Sequence, residues 1–207
     1  MSPVRRARVT DFPALAVTLA RAFHDDPFWR WMARPGTGYA QRLEQAFLAQ
    51  LCYLERCGGL IHTLDQDVGA ALWSPPGTWG SSALAHLRHL PDLLSLCGLA
   101  PLPARIAGIR RVQALHPSVP HFYLQIIGVE PRAWHRGYGR ALLDSVLDQC
   151  DKEYFPVWLE TCNPQNVPLY QHFGFQVKHE MVLPDQGPRV WCLWREPIRP
   201  TAGNRLS

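Results

Sequence analysis

Residues 136–140 read Arg-Gly-Tyr-Gly-Arg, and they stand where an apolar strand pattern gives way to a helical one. Upstream, the strand pattern ends at Val129 and Pro131 turns the chain. From Gly137 onward the apolar positions 138, 142, 146 and 150, joined by 143 and 147, form a helical stripe. A glycine loop that opens a helix presents backbone N–H groups with no intrahelical acceptor, and the peptide dipoles add partial positive charge at the same point. Gly137 and Gly139 let a phosphate approach the backbone with no Cβ in the way. Arg136 and Arg140 flank the glycines and can add charge-assisted hydrogen bonds. The chemistry is that of a seat for a phosphate-bearing ligand.

The elements that must hold this loop can be read from periodicity and turn residues. Strand patterns fall at 4–8, 60–64, 68–73, 121–130, 154–161, 175–182 and 189–195. Helical patterns fall at 12–24, 39–57, 137–150 and 168–173, the first capped by Thr10 or Asp11 and stopped by Asp25-Asp26-Pro27. Residues 81–117 switch to short helical stretches at 84–90, 92–96 and 104–115, broken by Pro91, Pro101 and Pro103. They read as an excursion inside the domain that carries specificity for an acceptor. The pattern predicts one α/β (α+β) domain over 1–197, with a mixed sheet of about seven strands, flanking helices and a loose tail at 198–207.

Composition narrows the function. A hydrophobic fraction of 47% supports a full core in 207 residues. The net charge of +4 is spread thinly, with no basic run longer than Arg5-Arg6 or Arg110-Arg111, which argues against nucleic acid as a partner. No stretch approaches the roughly 18 apolar residues of a membrane span. The six cysteines lack Cys-x-x-Cys spacing, and most sit among apolar neighbours, which points to reduced thiols in the cytoplasm. His116, His121, His172 and His179 show no metal-ligand spacing and no carboxylate pattern, so no metal is expected. Trp29, Trp31 and Trp73 read as core or pocket wall. With Asp26 they could form an aromatic, acidic cup for a cationic amine.

Two stretches resemble the GNAT superfamily of acyl-CoA-dependent N-acetyltransferases. The first is Val129-Glu130-Pro131 followed by Arg136-Gly137-Tyr138-Gly139-Arg140. The second is Trp158-Leu159-Glu160-Thr161 with Asn163, then Leu169-Tyr170-Gln171-His172-Phe173-Gly174-Phe175. Asp25-Asp26-Pro27, Ala71-Leu72-Trp73 and Trp194-Arg195-Glu196-Pro197 also look like bacterial members related to puromycin acetyltransferase. The resemblance implies a twisted, mostly antiparallel sheet with a V-shaped splay between strands 121–130 and 156–161. It implies acetyl-CoA as cosubstrate, its pantetheine amides paired with backbone near Ile127 and Val129, its pyrophosphate on residues 136–141, and Asn163 anchoring the pantetheine. Tyr170 resembles the tyrosine that protonates the departing thiolate, a role open to a phenol.

The departures from the family pattern fall at the loop and at the base. Trp134 and His135 stand where Gln or Arg and a glycine are common, so one loop contact is expected to be lost. Gln125 stands where many members carry a glutamate that deprotonates the acceptor amine, and an amide cannot act as a base. Glu160 on the neighbouring strand is the expected replacement, with Glu130, His121 or a water relay as alternatives. Asp26, Trp29 and Gln125 are the expected acceptor contacts. Cys162 lacks the histidine-paired context of a nucleophile. The expected function is acetyl transfer from acetyl-CoA to a primary amine of a small molecule by direct attack in a ternary complex, by a monomer or homodimer. The alternative is an acyl-CoA-binding sensor with little turnover. A dinucleotide oxidoreductase is disfavoured, because the loop lacks Gly-x-Gly-x-x-Gly.

Overall fold

The computed structural model describes residues 3–34, 36–78 and 90–198. Seven strands form one sheet: β1 (Val4–Arg6), β2 (Leu60–Leu64), β3 (Gly69–Ser74), β4 (Phe122–Val129), β5 (Val157–Thr161), β6 (Gln176–Val182) and β7 (Arg189–Arg195). Their order is β1-β2-β3-β4-β5-β7-β6. Every neighbouring pair is antiparallel except β4 and β5, which run parallel. A parallel pair requires a crossover, and α6 (Tyr138–Glu153) provides it.

Helices cover both faces. The others are α1 (Phe12–Ala22), α2 (Pro27–Met32), α3 (Tyr39–Arg56), α4 (Leu90–Cys97), α5 (Leu102–Gln113) and α7 (Asn166–His172). Alternation along β3 divides its side chains between two cores: Ala70 and Leu72 pack with α1 and α3, while Ala71 and Trp73 pack with α6. Every residue of β3 is buried, as a central strand covered on both faces must be. The α6 stripe buries Leu142, Leu143, Val146, Leu147 and Cys150, and each fully buried Leu or Val contributes about 1.5–3 kcal/mol. Gly128 lets α1 lie against β4, for a Cβ there would come within 2.8 Å of the Phe23 ring and 2.9 Å of Leu19.

The splay arises at Gln125. Leu72 pairs with Ile126 and Trp73 with Leu124, so Gln125 is the extra residue of a β-bulge. Beyond it β4 stays with β3 but leaves β5, whose pairing covers only Phe122–Leu124 against Val157–Leu159. A buried pair closes the far end of the unit: Arg195 of β7 holds both Asp151 oxygens at 2.7 Å and gives its Nε–H to the Phe173 carbonyl.

Two local expectations change, and one helix falls where the pattern assigned no element. The last strand of the crossover unit starts at Val157 rather than 154, because α6 runs to Glu153 and Tyr154 caps it in the left-handed region at φ 63°. Residues 27–32 are a helix, since Asp26 accepts from the N–H groups of Phe28 and Trp29 and Pro27 fits the first helical position. In the excursion, α4 and α5 replace the expected stretches at 92–96 and 104–115, and the stretch at 84–89 lies outside the described residues.

Candidate active site

Gly137 sits at φ 79° and starts α6, a left-handed turn that favours glycine. Ala141 is the first residue whose N–H reaches back into the helix, to the Gly137 carbonyl at 3.0 Å. The N–H groups of the preceding turn therefore have no intrahelical acceptor. Arg136 is exposed beside them. Arg140 is exposed as well, 3.4 Å from Asp144, with its guanidinium 5.7 Å above the Phe173 ring. Tyr138 packs its ring on the core beneath α6. A Cβ at Gly139 would meet only Val129, at 4.0 Å, so the first turn of α6 lies directly beside the end of β4.

That end of β4 is an open edge. Glu130 donates its N–H to Val68 of the β3 side. By strand alternation, the backbone groups of Ile127 and Val129 face the opposite side, where β5 has departed. The Val129 carbonyl accepts from the Trp134 indole N–H at 2.8 Å, and Trp134 is half-exposed. The residue that departs from the family loop thus covers a backbone acceptor at the splay.

The other end of the splay opens into a cavity of about 250 Å³. Asp26, Trp29, Gln125, Ile127, Glu160 and Tyr170 all line it. The structure therefore brings together six expected site residues from α2, β4, β5 and α7 and the turns beside them. Tyr170 is buried, with its ring edge-on to Phe175 at 5.8 Å, and its hydroxyl makes no hydrogen bond among the described residues. Burial, reinforced by the nearby Asp26 charge, pushes its phenol well above the ordinary range. It therefore keeps its proton. Burial also raises the Asp26 carboxyl, against the pull of the two N–H groups it caps. Cys162 lines the cavity too, and burial holds it as a thiol.

The structure gives several of the expected residues other contacts. Of the three tryptophans, only Trp29 reaches the cavity, 4.5 Å from the Phe47 ring centroid. Trp31 is buried and donates to the Pro184 carbonyl, and Trp73 lies in the core under α6. Gln125 is occupied: it donates to Ser74 Oγ at 2.6 Å and accepts from Gln50 at 2.5 Å. Asn163 stays outside the cavity wall, where its side-chain oxygen takes the Gln165 N–H at 3.0 Å and turns the chain into α7; Asn166 reaches the wall instead. Glu130 pairs with Arg21 at 3.5 Å and His121 bonds the Val119 carbonyl at 2.7 Å, and neither lines the cavity.

Sequence patterning missed His116. Its Nε2 lies 2.8 Å from Glu160 Oε1, inside the cavity wall, so a carboxylate partner does exist. The same oxygen accepts from Trp158 Nε1 at 2.6 Å. Partly buried Tyr123 hydrogen-bonds the carboxylate as well, and desolvation together with the Glu160 charge drives its phenol pKa well up. The only sequence signal was a histidine at the mouth of a Pro-rich turn.

The description "Acetyltransferase (GNAT) family" belongs to the family model that matches residues 66–175. An uncharacterized N-acetyltransferase of the fission yeast Schizosaccharomyces pombe is 25% identical over 203 residues, spanning 90% of this chain and 79% of that protein. A structure of histone acetyltransferase HPA2 and related acetyltransferase from Corynebacterium glutamicum is 28% identical. It has a TM-score of 0.73 and coverage of 97% of this chain and 99% of that one. The structure of yncA from Salmonella typhimurium, with its cofactor acetyl-CoA, shares the fold at a TM-score of 0.58 and 15% identity, over 100% of this chain and 99% of that one.

Proposed function

The chain belongs to the GNAT family of acetyltransferases, and from that premise we propose that it moves the acetyl group of acetyl-CoA to a primary amine of a small-molecule acceptor. One observation carries this reading. The open edge of β4 runs from a phosphate-suited helix start at Gly137 to a cavity that holds Tyr170 and Glu160. Arg136, Gly137, Tyr138, Gly139 and Arg140 would take the pyrophosphate, chiefly through the backbone N–H groups of the first α6 turn. Ile127 and Val129 would pair with the pantetheine amides, with the Asn163 amide nitrogen as a further anchor. The fit is supported by the unobstructed Gly139 and by backbone groups turned to the splay.

The acceptor would enter beside Asp26, Phe28 and Trp29, where a carboxylate and aromatic faces attract a cation. Glu160 would take one proton from the ammonium, and the freed amine would attack the thioester carbonyl. The C–N bond forms, the C–S bond breaks, and the Tyr170 phenol protonates the departing thiolate. No covalent acyl-enzyme is needed, in keeping with the thiol state of Cys162. We place the reaction in the cytoplasm, which the six free cysteines support. We also place the chain near the bacterial puromycin acetyltransferase-like members, on the strength of Asp25-Asp26-Pro27, Ala71-Leu72-Trp73 and Trp194–Pro197.

The test mixes the protein with acetyl-CoA and a broad amine panel that includes aminonucleosides, and follows thiol release and acetylated product mass. Release coupled to an N-acetylated product is expected. Acetyl-CoA binding without release from any amine would leave the sensor role instead.

A further inference from the structure

We propose that His116 is a positioning residue of this site, holding the Glu160 carboxylate in the orientation from which it takes the acceptor's proton. The proposal rests on the acetyl-transfer reading above. It is carried by the geometry of the pair: the His116 and Glu160 side chains are 3% and 12% exposed, and Nε2 stands 2.8 Å from Oε1. In so dry a place a hydrogen bond between an imidazole and a carboxylate is electrostatically strong.

The ring is itself fixed. Tyr123 meets it edge-on at 4.6 Å and 87°, Trp158 lies at 5.3 Å, and His121 at 5.7 Å. With His116 and Trp158 both on Oε1, that oxygen is filled, and rotation of the carboxylate would break two bonds at once. The carboxylate keeps lone pairs for one more proton, since a carboxylate offers about four acceptor sites. His116 follows α5, the helix that supplies Ile109, Val112 and Gln113 to the cavity wall. The segment that shapes the acceptor side of the cavity therefore also carries the group that orients the base.

The hydrogen bond has a direction. A neutral His116 donates its Nε2–H and leaves Glu160 as an acceptor. The titratable groups facing the pair are His121 and Tyr123 from the β4 side, Cys162 after β5 and Cys192 on β7. In the step itself, the R–NH3+ acceptor passes one proton to Glu160 and then to solvent. After attack the nitrogen loses a second proton, which restores the Tyr170 phenol once that group has protonated the thiolate. The third stays on the amide.

The experiment compares wild type, His116→Leu, His116→Gln and Glu160→Gln with saturating acetyl-CoA and an amine that the wild type acetylates. It reads kcat, KM and the pH profile of kcat/KM, with the thermal midpoint as a check on folding. His116→Leu is expected to lower kcat about tenfold to a hundredfold, the range of one hydrogen bond to a charged group. The KM for acetyl-CoA, read in a second series that varies it at saturating amine, should hold. His116→Gln keeps an N–H of similar reach, so it should restore most of kcat. Adding His116→Leu to Glu160→Gln should cost nothing further. Wild-type kcat and pH profile in His116→Leu, a His116→Gln variant as impaired as His116→Leu, or additive losses in the double variant would each overturn the proposal. If His116→Leu does not fold, His116→Asn, whose shorter amide does not reach Oε1, takes its place under the same criteria. Absence of turnover by the wild type with every amine would sink the acetyl-transfer reading itself, a separate result.

Discussion

Replacing Tyr170 by Phe removes a single oxygen from the cavity wall and little else. The ring keeps its contact with Phe175 at 5.8 Å, and no hydrogen bond to the described residues is lost. The stability change should therefore stay within about 1 kcal/mol, the scale of one ordinary hydrogen bond. In a chain of this size that moves the thermal midpoint by about 2–4 °C at most. Catalysis should respond far more. A positioned general acid contributes about 10²–10⁴-fold, which is about 2.7–5.4 kcal/mol of barrier at 1.36 kcal/mol per decade. The assay is thiol release at saturating acetyl-CoA and acceptor, with acetyl-CoA affinity measured separately by calorimetry. The expected result is a kcat loss in that range with affinity unchanged. Because burial raises the phenol well above its ordinary value, Tyr170 should hold its proton throughout the neutral and mildly alkaline range. The alkaline limb of the wild-type profile should therefore not come from this residue. A Tyr170→Phe variant that keeps wild-type kcat would refute the acid role. A large drop in its thermal midpoint would show instead that the hydroxyl is structural.

Arg136→Ala should weaken CoA binding by about tenfold, the cost of one charge-assisted contact, while leaving the affinity for pantetheine, which lacks the pyrophosphate, unchanged; calorimetry with both ligands reads the difference. Trp134→Phe frees the Val129 carbonyl of its 2.8 Å indole donor, so acetyl-CoA should bind about two- to tenfold tighter if a pantetheine amide competes for that oxygen. Asp151→Asn should cost about 3 kcal/mol at neutral pH, because Arg195 is left buried without its bidentate partner. In the wild type, burial works against the Asp151 charge, but the Arg195 hydrogen bonds, the Ile198 N–H and the Arg195 charge together hold the carboxyl below its ordinary value. That contribution is fully present above the unfolded-state value and is lost as pH falls through the folded one. The gap in thermal midpoint between variant and wild type should therefore close on acidification.

The phosphate-suited loop was legible because its signals are local: glycines at a strand-to-helix change, flanked by arginines. The seven strands were legible for the same reason, since alternation and turn residues act within a few positions. What was not legible depends on distant contacts. The β4 bulge at Gln125 follows from its register against β3, and no pattern in residues 121–130 announces it. The bond from His116 to Glu160 joins an inserted turn to a central strand, and only the packed sheet brings them together. Asp26-Pro27 was a different kind of miss. The pair ends one helix pattern, but an Asp cap before a proline also starts a helix, and the second meaning prevailed at α2. Asn163 shows the reverse case, a residue matching a family motif whose side-chain oxygen is spent on a turn.

A crystal structure with acetyl-CoA bound would show where the cosubstrate lies. The pyrophosphate should lie on the N–H groups of the first α6 turn, between Arg136 and Arg140. The pantetheine should run along the β4 edge past Val129 and Ile127, with Trp134 displaced from the Val129 carbonyl. The thioester should end within hydrogen-bond reach of the Tyr170 hydroxyl. Acetyl-CoA found elsewhere on the molecule, with Trp134 still seated on Val129 and the splay empty, would contradict that placement.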